Sequence, residues 1–343
     1  MKIFITGGTG FIGTHLVERL AHTEHQTYCL VRDPSRAKRL QELGAKLMHG
    51  DVTDKASVMR AMKGCDWVFN LANIYTFWVP DKRAYHRINV EGTRNVMQCA
   101  LDLGVSKVVH LSTYGIWAKS GKSTFNEDSP IPSDQVSEYC RSKYEGDRIA
   151  WEYYEKHGLQ LTMIHPGNVL GEGDNKPTGQ FLGDIVRGKQ PVNAFAGTVF
   201  TFVHVRDVVE AVIRAAEKPN SVGQRYIVAN QQLPWGELAA MAAEISGASL
   251  PRFTLPGPLA LATGATLTLL ANITKKPPLW GLSFDAAKTL TASLKADGSK
   301  AQRELGITYT PIRLAVEETV ASCMAGTVRE DVRAEGRAKA QAS

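Results

Sequence analysis

The amino-acid sequence predicts an α/β protein in which a doubly wound parallel sheet is joined to a smaller C-terminal lobe. Three observations support that fold class. An apolar, β-favouring run at residues 2–6 leads through a glycine-rich turn directly into a helical pattern. Strand-like and helical segments then alternate with short connections, which is typical of parallel sheets with right-handed crossovers. A chain of 343 residues is also long enough to bury a large core.

The turn after the first strand contains Gly7, Gly10 and Gly13 at a spacing of three residues. A strand, a tight glycine turn and a helix N-terminus together form an anion site, because backbone N–H groups and the positive end of the helix dipole converge there. Glycine has no side chain, so a phosphate group can approach the backbone closely. The turn therefore predicts a Rossmann-type fold that binds a dinucleotide.

The other elements follow from hydrophobic periodicity and from turn residues. The long helix that begins near residue 81 should close at Gly104, since glycine often ends helices. A polar loop, residues 119–133, precedes the last long helix of this half. We expect strands at residues 26–31, 46–49, 67–69, 108–111 and 159–165, and helices at residues 37–43, 54–62, 81–103 and 134–157.

Beyond residue 171 the pattern becomes irregular, with glycines, prolines and short apolar runs. We expect this part to lie over the carboxyl ends of the strands, where ligands of open α/β sheets bind. The predicted organisation is a dinucleotide-binding domain at residues 1–170, to which some later segments return, a mainly substrate-binding lobe at residues 171–328, and a charged, frayed helical tail at residues 329–343.

Composition favours a globular protein of the cell interior. Apolar residues make up 43% and charged residues 22% of the chain, and the net charge of +6 is spread along it, which gives little support to nucleic-acid binding. The five cysteines are widely spaced, which argues against a disulfide framework or a metal site. The N-terminus lacks a signal pattern, so we expect a cytoplasmic location.

Residues 255–273 carry no charge and approach the length of a membrane-spanning helix. Their prolines, glycines and three threonines dilute the hydrophobicity, so we expect no membrane span. We expect instead a buried helix, or a flap over an apolar pocket.

Tyr139 and Lys143 lie four residues apart, on one face of the last long helix of the first half. Ser112 and Thr113 supply hydroxyl groups at the end of the preceding strand. A nearby ammonium lowers the pKa of a phenol, so the tyrosine is expected to exchange a proton near neutral pH. The lysine can also hold a ribose, and the hydroxyl can polarise a carbonyl group. The alternative is a surface pair of no catalytic meaning.

Motifs that occur together in one protein family extend along the chain to about residue 320. They are residues 6–13, 50–52, 89–93, 139–143, 166–169, 202–208 and 299–306. With these motifs the chain resembles the extended short-chain dehydrogenase/reductases, the NAD-dependent epimerase/dehydratase family. Within that family it most resembles dihydroflavonol-reductase-like and hopanoid-associated epimerase-like members.

The resemblance implies a role for each matching position. The glycine turn would hold the pyrophosphate of the cofactor, while Tyr139, Lys143 and a strand-end hydroxyl would be catalytic. By the family pattern that hydroxyl is Thr113, with Ser112 as the alternative. Homodimers through the two long helices are also implied. The implied cofactor-binding positions are Gly7, Thr9, Gly10, Phe11, Ile12, Gly13, Asp51, Val52, Leu71, Ala72, Asn73, Lys143, Pro166 and Val169.

The end of the second strand bears on the choice of cofactor. An acidic residue there would bind the ribose hydroxyls of NAD, but the sequence has Arg32, with Arg36 close behind. A guanidinium suits a 2′-phosphate, so we predict NADP, with NAD as the alternative. Asp33 comes one residue late. The competing interpretation is a solvated turn.

Departures from the family pattern concern the substrate. Asn70 stands where many relatives have histidine, and His165 where many have arginine. Tyr114 and Gly115 replace the acidic pair of dehydratases, and residues 199–201 lack the arginine with which epimerases grip a diphosphate. The aromatic residues expected to form a hydrophobic pocket wall are Tyr75, Phe77, Trp78 and Trp117.

These observations predict an NADP-dependent oxidoreductase that transfers a hydride between the nicotinamide and a carbonyl or secondary alcohol. Its partner would be a small, fairly apolar molecule, with Tyr139 as the general acid or base. One alternative is an NAD-dependent sugar or nucleotide-sugar epimerase. Another is a non-catalytic regulator that senses a dinucleotide.

Overall fold

A computed structural model of the chain describes residues 1–118 and 123–326. Part of the predicted 119–133 loop and the predicted 329–343 tail lie outside the described residues. The described part contains a seven-stranded parallel sheet, which is flanked by helices, and two smaller sheets. The strands are β1 Lys2–Thr6, β2 Gln26–Val31, β3 Lys46–His49, β4 Trp67–Asn70, β5 Lys107–Leu111, β6 Leu161–Pro166, β7 Asn168–Leu170, β8 Asn193–Ala194, β9 Val199–His204, β10 Arg225–Val228, β11 Gln231–Pro234 and β12 Thr254–Leu255.

Thirteen α-helices are assigned in these ranges. They are α1 Phe11–Ala21, α2 Lys38–Glu42, α3 Lys55–Met62, α4 Arg83–Tyr85, α5 Gly92–Asp102, α6 Glu138–His157, α7 Pro177–Val186, α8 Val205–Glu217, α9 Trp235–Ser246, α10 Gly257–Thr274, α11 Phe284–Thr291, α12 Ser299–Leu305 and α13 Ile312–Met324.

The large sheet has the strand order β10-β6-β5-β4-β1-β2-β3, as a doubly wound α/β fold requires. The predicted fold class is therefore confirmed. The interior strand β1 is buried on both faces: Ile3 and Ile5 pack into one apolar cluster, and Phe4 packs into another on the opposite side. Because every strand points the same way, the carboxyl ends of β1, β4, β5 and β6 meet along one edge. We call this the cofactor edge.

The two predicted long helices have different bounds in the structure. The predicted 134–157 helix begins only at Glu138, because the Ser137 hydroxyl accepts a hydrogen bond from the Cys140 N–H and caps the helix there. The predicted 81–103 helix is not a uniform α-helix, since a π-helical segment, His86–Glu91, separates α4 from α5. Within this segment the Asn89 side chain accepts a hydrogen bond from the Ile74 N–H.

The C-terminal half is more regular than its sequence pattern indicates. Residues beyond 171 form helices α7 to α13, and the three-stranded sheet has the order β11-β9-β7. Small side chains explain why periodicity missed them: α9 buries Leu238 together with Ala239, Ala242 and Ala243. The strand Arg225–Val228 joins the edge of the large sheet beside β6.

The apolar segment at residues 255–273 forms α10. The expectation of a buried helix is wrong, because only 17% of the Gly257–Thr274 window is buried. By length and composition alone, α10 is the one helix among the described residues that is apolar enough to cross a membrane.

Candidate active site

The glycine turn at the start of the cofactor edge has a shape that side chains would destroy. Gly7 adopts a positive φ of +72°, and a Cβ there would lie 2.7 Å from the Leu71 carbonyl carbon. A Cβ on Gly13 would overlap the Gly7 carbonyl oxygen. The Gly10 N–H donates to that same oxygen at 3.0 Å and closes the turn. These positions therefore require glycine.

The first helix begins directly after this turn, at Phe11, and among the described residues no side chain caps it. A helix N-terminus without a side-chain cap leaves backbone N–H groups and the positive helix end for an anion. Thr9, Phe11 and Ile12 belong to this same turn and first helical turn. The residues present thus fit the pyrophosphate of a dinucleotide.

The residues after β4 form the second wall of the crevice. The Leu71 and Ala72 N–H groups donate to the carbonyl and hydroxyl oxygens of Thr6, at 3.2 and 3.1 Å. The Asn73 side chain donates to the Leu71 carbonyl at 3.0 Å. These bonds hold the segment against the glycine turn. Pro166 ends β6, and Val169 lies in the adjoining strand β7.

The end of β2 carries the charges predicted to select the cofactor. The Arg32 side chain is 72% exposed, and its Nε lies 3.8 Å from the Asp51 carboxylate. Asp33 caps the following turn by accepting hydrogen bonds from the Ser35 N–H and hydroxyl. Its carboxylate is therefore engaged locally, while Arg36 is exposed. Val52, which follows Asp51, is buried.

Tyr139 and Thr113 are brought together at the cofactor edge. Tyr139 is only 6% exposed, and it lines the same cavity as Thr113, whose side chain is near enough to the phenol to lower its pKa. The Tyr139 ring packs against Tyr75, with ring centroids 5.0 Å apart, and edge-on against Phe77 at 5.9 Å. Ser112 is not part of this arrangement, because its hydroxyl donates to the buried Asp147 carboxylate at 2.6 Å.

The expected effect of Lys143 on the Tyr139 phenol is wrong for this arrangement. Burial raises the pKa of Tyr139 well above its usual range, and Tyr75 and Cys140 add to that effect; the nearby Thr113 side chain only partly opposes it. The Lys143 ammonium donates to the Leu111 carbonyl at 2.9 Å. Burial lowers the pKa of Lys143 to about 8, against the opposing charge of Asp147. Burial thus dominates the pKa of both groups.

Sequence reasoning missed Asp147, which lies below the site on the same helix. Its carboxylate accepts hydrogen bonds from Ser112 and from His165 Nε2 at 3.0 Å, and His110 Nε2 lies 3.4 Å away. Burial works to raise the pKa of Asp147, but the bonds from the two imidazoles hold it well below its usual range. The missed signal is spacing, since Asp147 continues the four-residue interval from Tyr139 to Lys143.

Asn70 extends this buried network to the first strand. The Thr6 hydroxyl donates to Asn70 Oδ1 at 2.7 Å, and Asn70 Nδ2 donates to His110 Nδ1 at 3.0 Å. An acceptor at Nδ1 leaves the His110 proton on Nε2, facing Asp147. Asn70 and His165 therefore belong to the floor of the cofactor edge, and neither is among the described residues that line the substrate cavity.

A cavity of about 1110 Å³ opens beside Tyr139 and Thr113. Its walls are mainly aromatic and aliphatic, and the C-terminal half supplies part of them, which the sequence pattern did not reveal. Trp117 was expected in this wall but is a core residue that stacks on Phe125 with a centroid distance of 5.7 Å. Large apolar residues that line the cavity include Tyr75, Phe77, Trp78, Tyr114, Phe181, Phe195, Phe200, Trp235, Leu255, Trp280, Leu282, Leu290 and Leu294.

Comparisons with known proteins agree with this site. Residues 3–229 match the model of the NAD dependent epimerase/dehydratase family. A putative dihydroflavonol 4-reductase of Synechocystis sp. is 30% identical over 92% of this chain and 93% of its own length. Sterol demethylase protein B of Methylococcus capsulatus is 27% identical over 94% of this chain and 98% of its own length. The crystal structure of gox2253 superposes with a TM-score of 0.81 and 29% identity, and the match covers 94% of this chain and 98% of that chain.

Proposed function

The chain belongs to the NAD dependent epimerase/dehydratase family, and from that premise we propose that it is an NADP-dependent oxidoreductase acting on a small, apolar carbonyl compound or secondary alcohol. It is an NAD(P)-dependent enzyme of the extended short-chain dehydrogenase/reductase type. The observation that carries the finer proposal is the apolar, aromatic cavity into which Tyr139 and Thr113 open.

Each residue at the cofactor edge has a task in this proposal. The glycine turn and the N-terminus of α1 hold the pyrophosphate, while Leu71, Ala72 and Val169 line the crevice. A bound nicotinamide supplies or accepts the hydride. Tyr139 donates a proton to the substrate oxygen in reduction, and Thr113 donates a second hydrogen bond that polarises the carbonyl group. The high pKa of the buried phenol keeps it protonated, as a general acid requires.

Lys143 has a supporting task. Its ammonium is held at the end of β5 by the Leu111 carbonyl, on the face of α6 that carries Tyr139. We propose that it binds the nicotinamide ribose and moves closer to the phenol when the cofactor is in place.

The chemistry of the walls supports an apolar substrate. Aromatic rings from both halves of the chain surround the cavity, and its volume slightly exceeds the usual range of small-molecule sites, about 300–1,000 Å³. The relative named sterol demethylase protein B carries in its name a sterol, a large apolar alcohol. A sugar nucleotide needs charged groups at its diphosphate, and the strand Val199–His204, which borders the cavity, carries no arginine. The cations that line the cavity are Arg187, Lys189 and Lys275, of which Arg187 is paired with Asp184 at 2.9 Å.

The test is the NADPH-dependent reduction of a panel of aldehydes and ketones of increasing apolar surface. We expect measurable turnover by the parent and a loss of about 100- to 10,000-fold in kcat for Tyr139→Phe, since a general acid contributes that much. Tyr75→Phe is the matched control, because it removes a neighbouring phenol hydroxyl and keeps the ring that packs on Tyr139. Equal rates for parent and Tyr139→Phe would remove the tyrosine from the mechanism.

The same experiment separates the rival functions. An epimerase would retain NAD through purification and would show no net turnover of added nicotinamide. A regulator would bind the dinucleotide with the same affinity in the parent and in Tyr139→Phe and would reduce no member of the panel. Either result would overturn the oxidoreductase proposal.

The preference for NADP rests on Arg32 and Arg36 at the end of β2. A guanidinium binds a 2′-phosphate through paired, charge-assisted hydrogen bonds. We expect the parent to have a KM for NADPH at least about tenfold below that for NADH, since one such contact is worth about 1.5–3 kcal/mol. Arg32→Asp should reverse the order, whereas Arg39→Asp, on the next helix and paired with Glu18, should not.

A cytoplasmic homodimer remains part of the proposal. The two long helices α5 and α6 pack side by side on one face of the sheet and would form the interface. Sedimentation of the purified protein over a range of concentrations tests this point, and a monomer at all concentrations would contradict it.

A further inference from the structure

The exposed apolar side chains are concentrated in one segment. Eleven large hydrophobic residues are exposed in the part of the chain that the structure describes, and eight of them fall between residues 253 and 284. Scattered exposed apolar residues are normal, but a contiguous cluster marks an interaction surface. We call residues 252–284 the apolar rim. The eight residues are Phe253, Leu259, Leu269, Leu270, Ile273, Leu279, Trp280 and Phe284.

The central helix of the apolar rim, α10, uses only one face for packing inside the protein. Ala260, Gly264 and Ala271 are its buried residues, and Gly264 lies close to Ser283 at the start of α11. The opposite face is exposed and carries no charge. Because 3.6 residues complete a turn, its members fall in one stripe, which consists of Leu259, Ala262, Thr266, Leu269, Leu270 and Ile273.

The four threonines of α10 do not need water for their hydroxyl groups. Each hydroxyl donates to the backbone carbonyl four residues earlier, at distances between 2.8 and 3.1 Å. Such internal bonds let a helix enter an apolar medium without leaving polar groups unsatisfied. The donors are Thr263, Thr266, Thr268 and Thr274.

The basic residues of the apolar rim lie at the two ends of α10. Arg252 precedes α10, while Lys275 and Lys276 follow it, and all three are exposed. Trp280 comes shortly after and is 54% exposed. An uncharged helix with cations at its ends and an aromatic residue at its border matches the order of a lipid surface, with its apolar interior, its anionic headgroups and the interface between them.

The apolar rim is continuous with the substrate cavity. Leu255, Thr263, Lys275, Pro277 and Trp280 all belong to this segment and line the cavity. The same short segment thus forms both the outer apolar surface and a wall of the cavity.

We propose that the apolar rim docks the protein on the surface of a bilayer that contains anionic lipids, with α10 in the membrane plane and the cavity mouth facing the lipid. The exposed stripe of α10 enters the boundary between headgroups and acyl chains, while Arg252, Lys275 and Lys276 bind lipid phosphates. An apolar substrate then passes from the bilayer to the cavity without crossing water. The docking itself does not depend on the proposed oxidoreductase activity.

Two other occupants fit the contacts less well. In a two-fold dimer, antiparallel α10 helices would bring Arg252 of one copy near Lys275 and Lys276 of the other, which places like charges together. A membrane span would have to release α10 from the body of the protein. The helix is tied there by the Trp78 indole, which donates to Asn272 at 3.0 Å, and by the Phe284 N–H, which donates to Thr268.

The test is flotation of the full chain with vesicles of phosphatidylcholine alone, or of phosphatidylcholine with phosphatidylglycerol, in the absence of substrate and cofactor. We expect the parent to float with the anionic vesicles and to bind neutral ones at least about tenfold more weakly. Leu269→Asp combined with Ile273→Asp should reduce binding about a hundredfold or more, since each change removes an apolar side chain from the lipid. Leu314→Asp is the matched control, because Leu314 is exposed outside the apolar rim.

Several results would overturn the proposal. Recovery of the parent in the soluble fraction at every lipid concentration is one such result, and flotation of the double variant like the parent is another. Resistance of bound protein to alkaline carbonate would indicate a span. Self-association that the double variant abolishes, without vesicle binding by the parent, would assign the face to a second copy. A thermal unfolding scan of each variant identifies any loss of vesicle binding that comes from misfolding. Lys275→Glu combined with Lys276→Glu changes two solvent-exposed residues and gives a second test of the same surface.

Discussion

The cofactor edge and the apolar rim differ in where their side chains find partners. At the cofactor edge, buried polar side chains lie against one another across four adjacent structural elements: Thr6 donates to Asn70, Asn70 donates to His110, and His110 Nε2 lies 3.4 Å from Asp147. In the apolar rim, side chains such as Ile273 are large, apolar and exposed to solvent. One region is therefore complete within the chain, whereas the other has a surface that suits a partner outside it.

This contrast follows from what the two regions bind: the cofactor edge binds the dinucleotide, and the apolar rim borders the site proposed for an apolar substrate. A dinucleotide must be bound in a fixed orientation, and a network of buried polar side chains beneath its crevice serves that purpose. An apolar substrate needs mainly surface and access, and mobile or accommodating walls serve that purpose. Substitutions should accordingly cost more at the cofactor edge than in the apolar rim, and four experiments test that difference.

The largest effect is expected for Gly13→Ala in the glycine turn. The added Cβ would overlap the Gly7 carbonyl, so the turn must open. We expect a loss of cofactor affinity of more than about a hundredfold and about 2–4 kcal/mol of unfolding free energy. Fluorescence titration with NADPH measures the cofactor affinity, and chemical denaturation measures the unfolding free energy. Gly197→Ala, where a Cβ meets open space, is the control on the substrate side. Equal cofactor affinity for the two variants would show that the turn is not the phosphate site.

The next effect separates two neighbouring hydroxyl groups. Thr113 contacts Tyr139, whereas Ser112 donates to the buried Asp147 carboxylate. Thr113→Ala should lower kcat about 100-fold, as expected for loss of a donor to the substrate oxygen. Ser112→Ala should lower the unfolding free energy by about 1–3 kcal/mol and largely spare kcat, because the bond that it removes is a buried one to a charged group. A loss of kcat in Ser112→Ala as large as that in Thr113→Ala, with the fold intact, would contradict this division.

Two buried carboxyl groups extend the comparison to pH. Hydrogen-bonded imidazoles keep the pKa of Asp147 low, whereas burial raises the pKa of Asp174, in the C-terminal half, to about 7. Between about pH 4 and pH 7 the folded chain therefore holds a proton on Asp174 that the unfolded chain has lost, and stability falls as pH rises through this window. Asp174→Asn should remove that fall. The advantage of the variant over the parent in unfolding free energy should therefore be about 2–4 kcal/mol larger at pH 8 than at pH 5.

Urea denaturation at a series of pH values measures this effect. Asp128→Asn, at an exposed position, is the control and should leave the pH profile of the parent unchanged. A profile for Asp174→Asn that parallels the parent from pH 5 to pH 8 would show that the Asp174 carboxyl does not titrate in that window.

The smallest effects come from a matched pair of conservative changes. Ile5 in β1 is fully buried, and Ile273 in α10 is 70% exposed. Ile5→Val should cost about 0.5–1.5 kcal/mol of unfolding free energy, whereas Ile273→Val should change it by less than about 0.5 kcal/mol. Guanidinium denaturation measures both changes. The comparison is valid if the unfolding free energy depends on guanidinium concentration with the same slope in both variants. A cost at Ile273 as large as at Ile5 would mean that the apolar rim is packed against protein in solution.

Local sequence was enough to predict the cofactor side of the molecule. Gly13 is required by backbone contacts with Gly7 and Gly8, a few residues earlier, and the alternation of strands and helices follows from periodicity. The four-residue interval from Tyr139 to Lys143 likewise places both residues on one helix face. Each of these features depends on neighbours in the chain, which a pattern of residue types records.

Contacts between distant segments decided the rest. Whether Ser112 or Thr113 meets the phenol depends on Asp147, which lies 35 positions after Ser112. The pKa of Tyr139 depends on how completely other elements bury it, and for that reason the expected effect of Lys143 was wrong. The exposure of α10 has the same origin: its composition fits a buried helix as well as an exposed one, and only the packing of Ala260, Gly264 and Ala271 against α11 determines which face meets solvent.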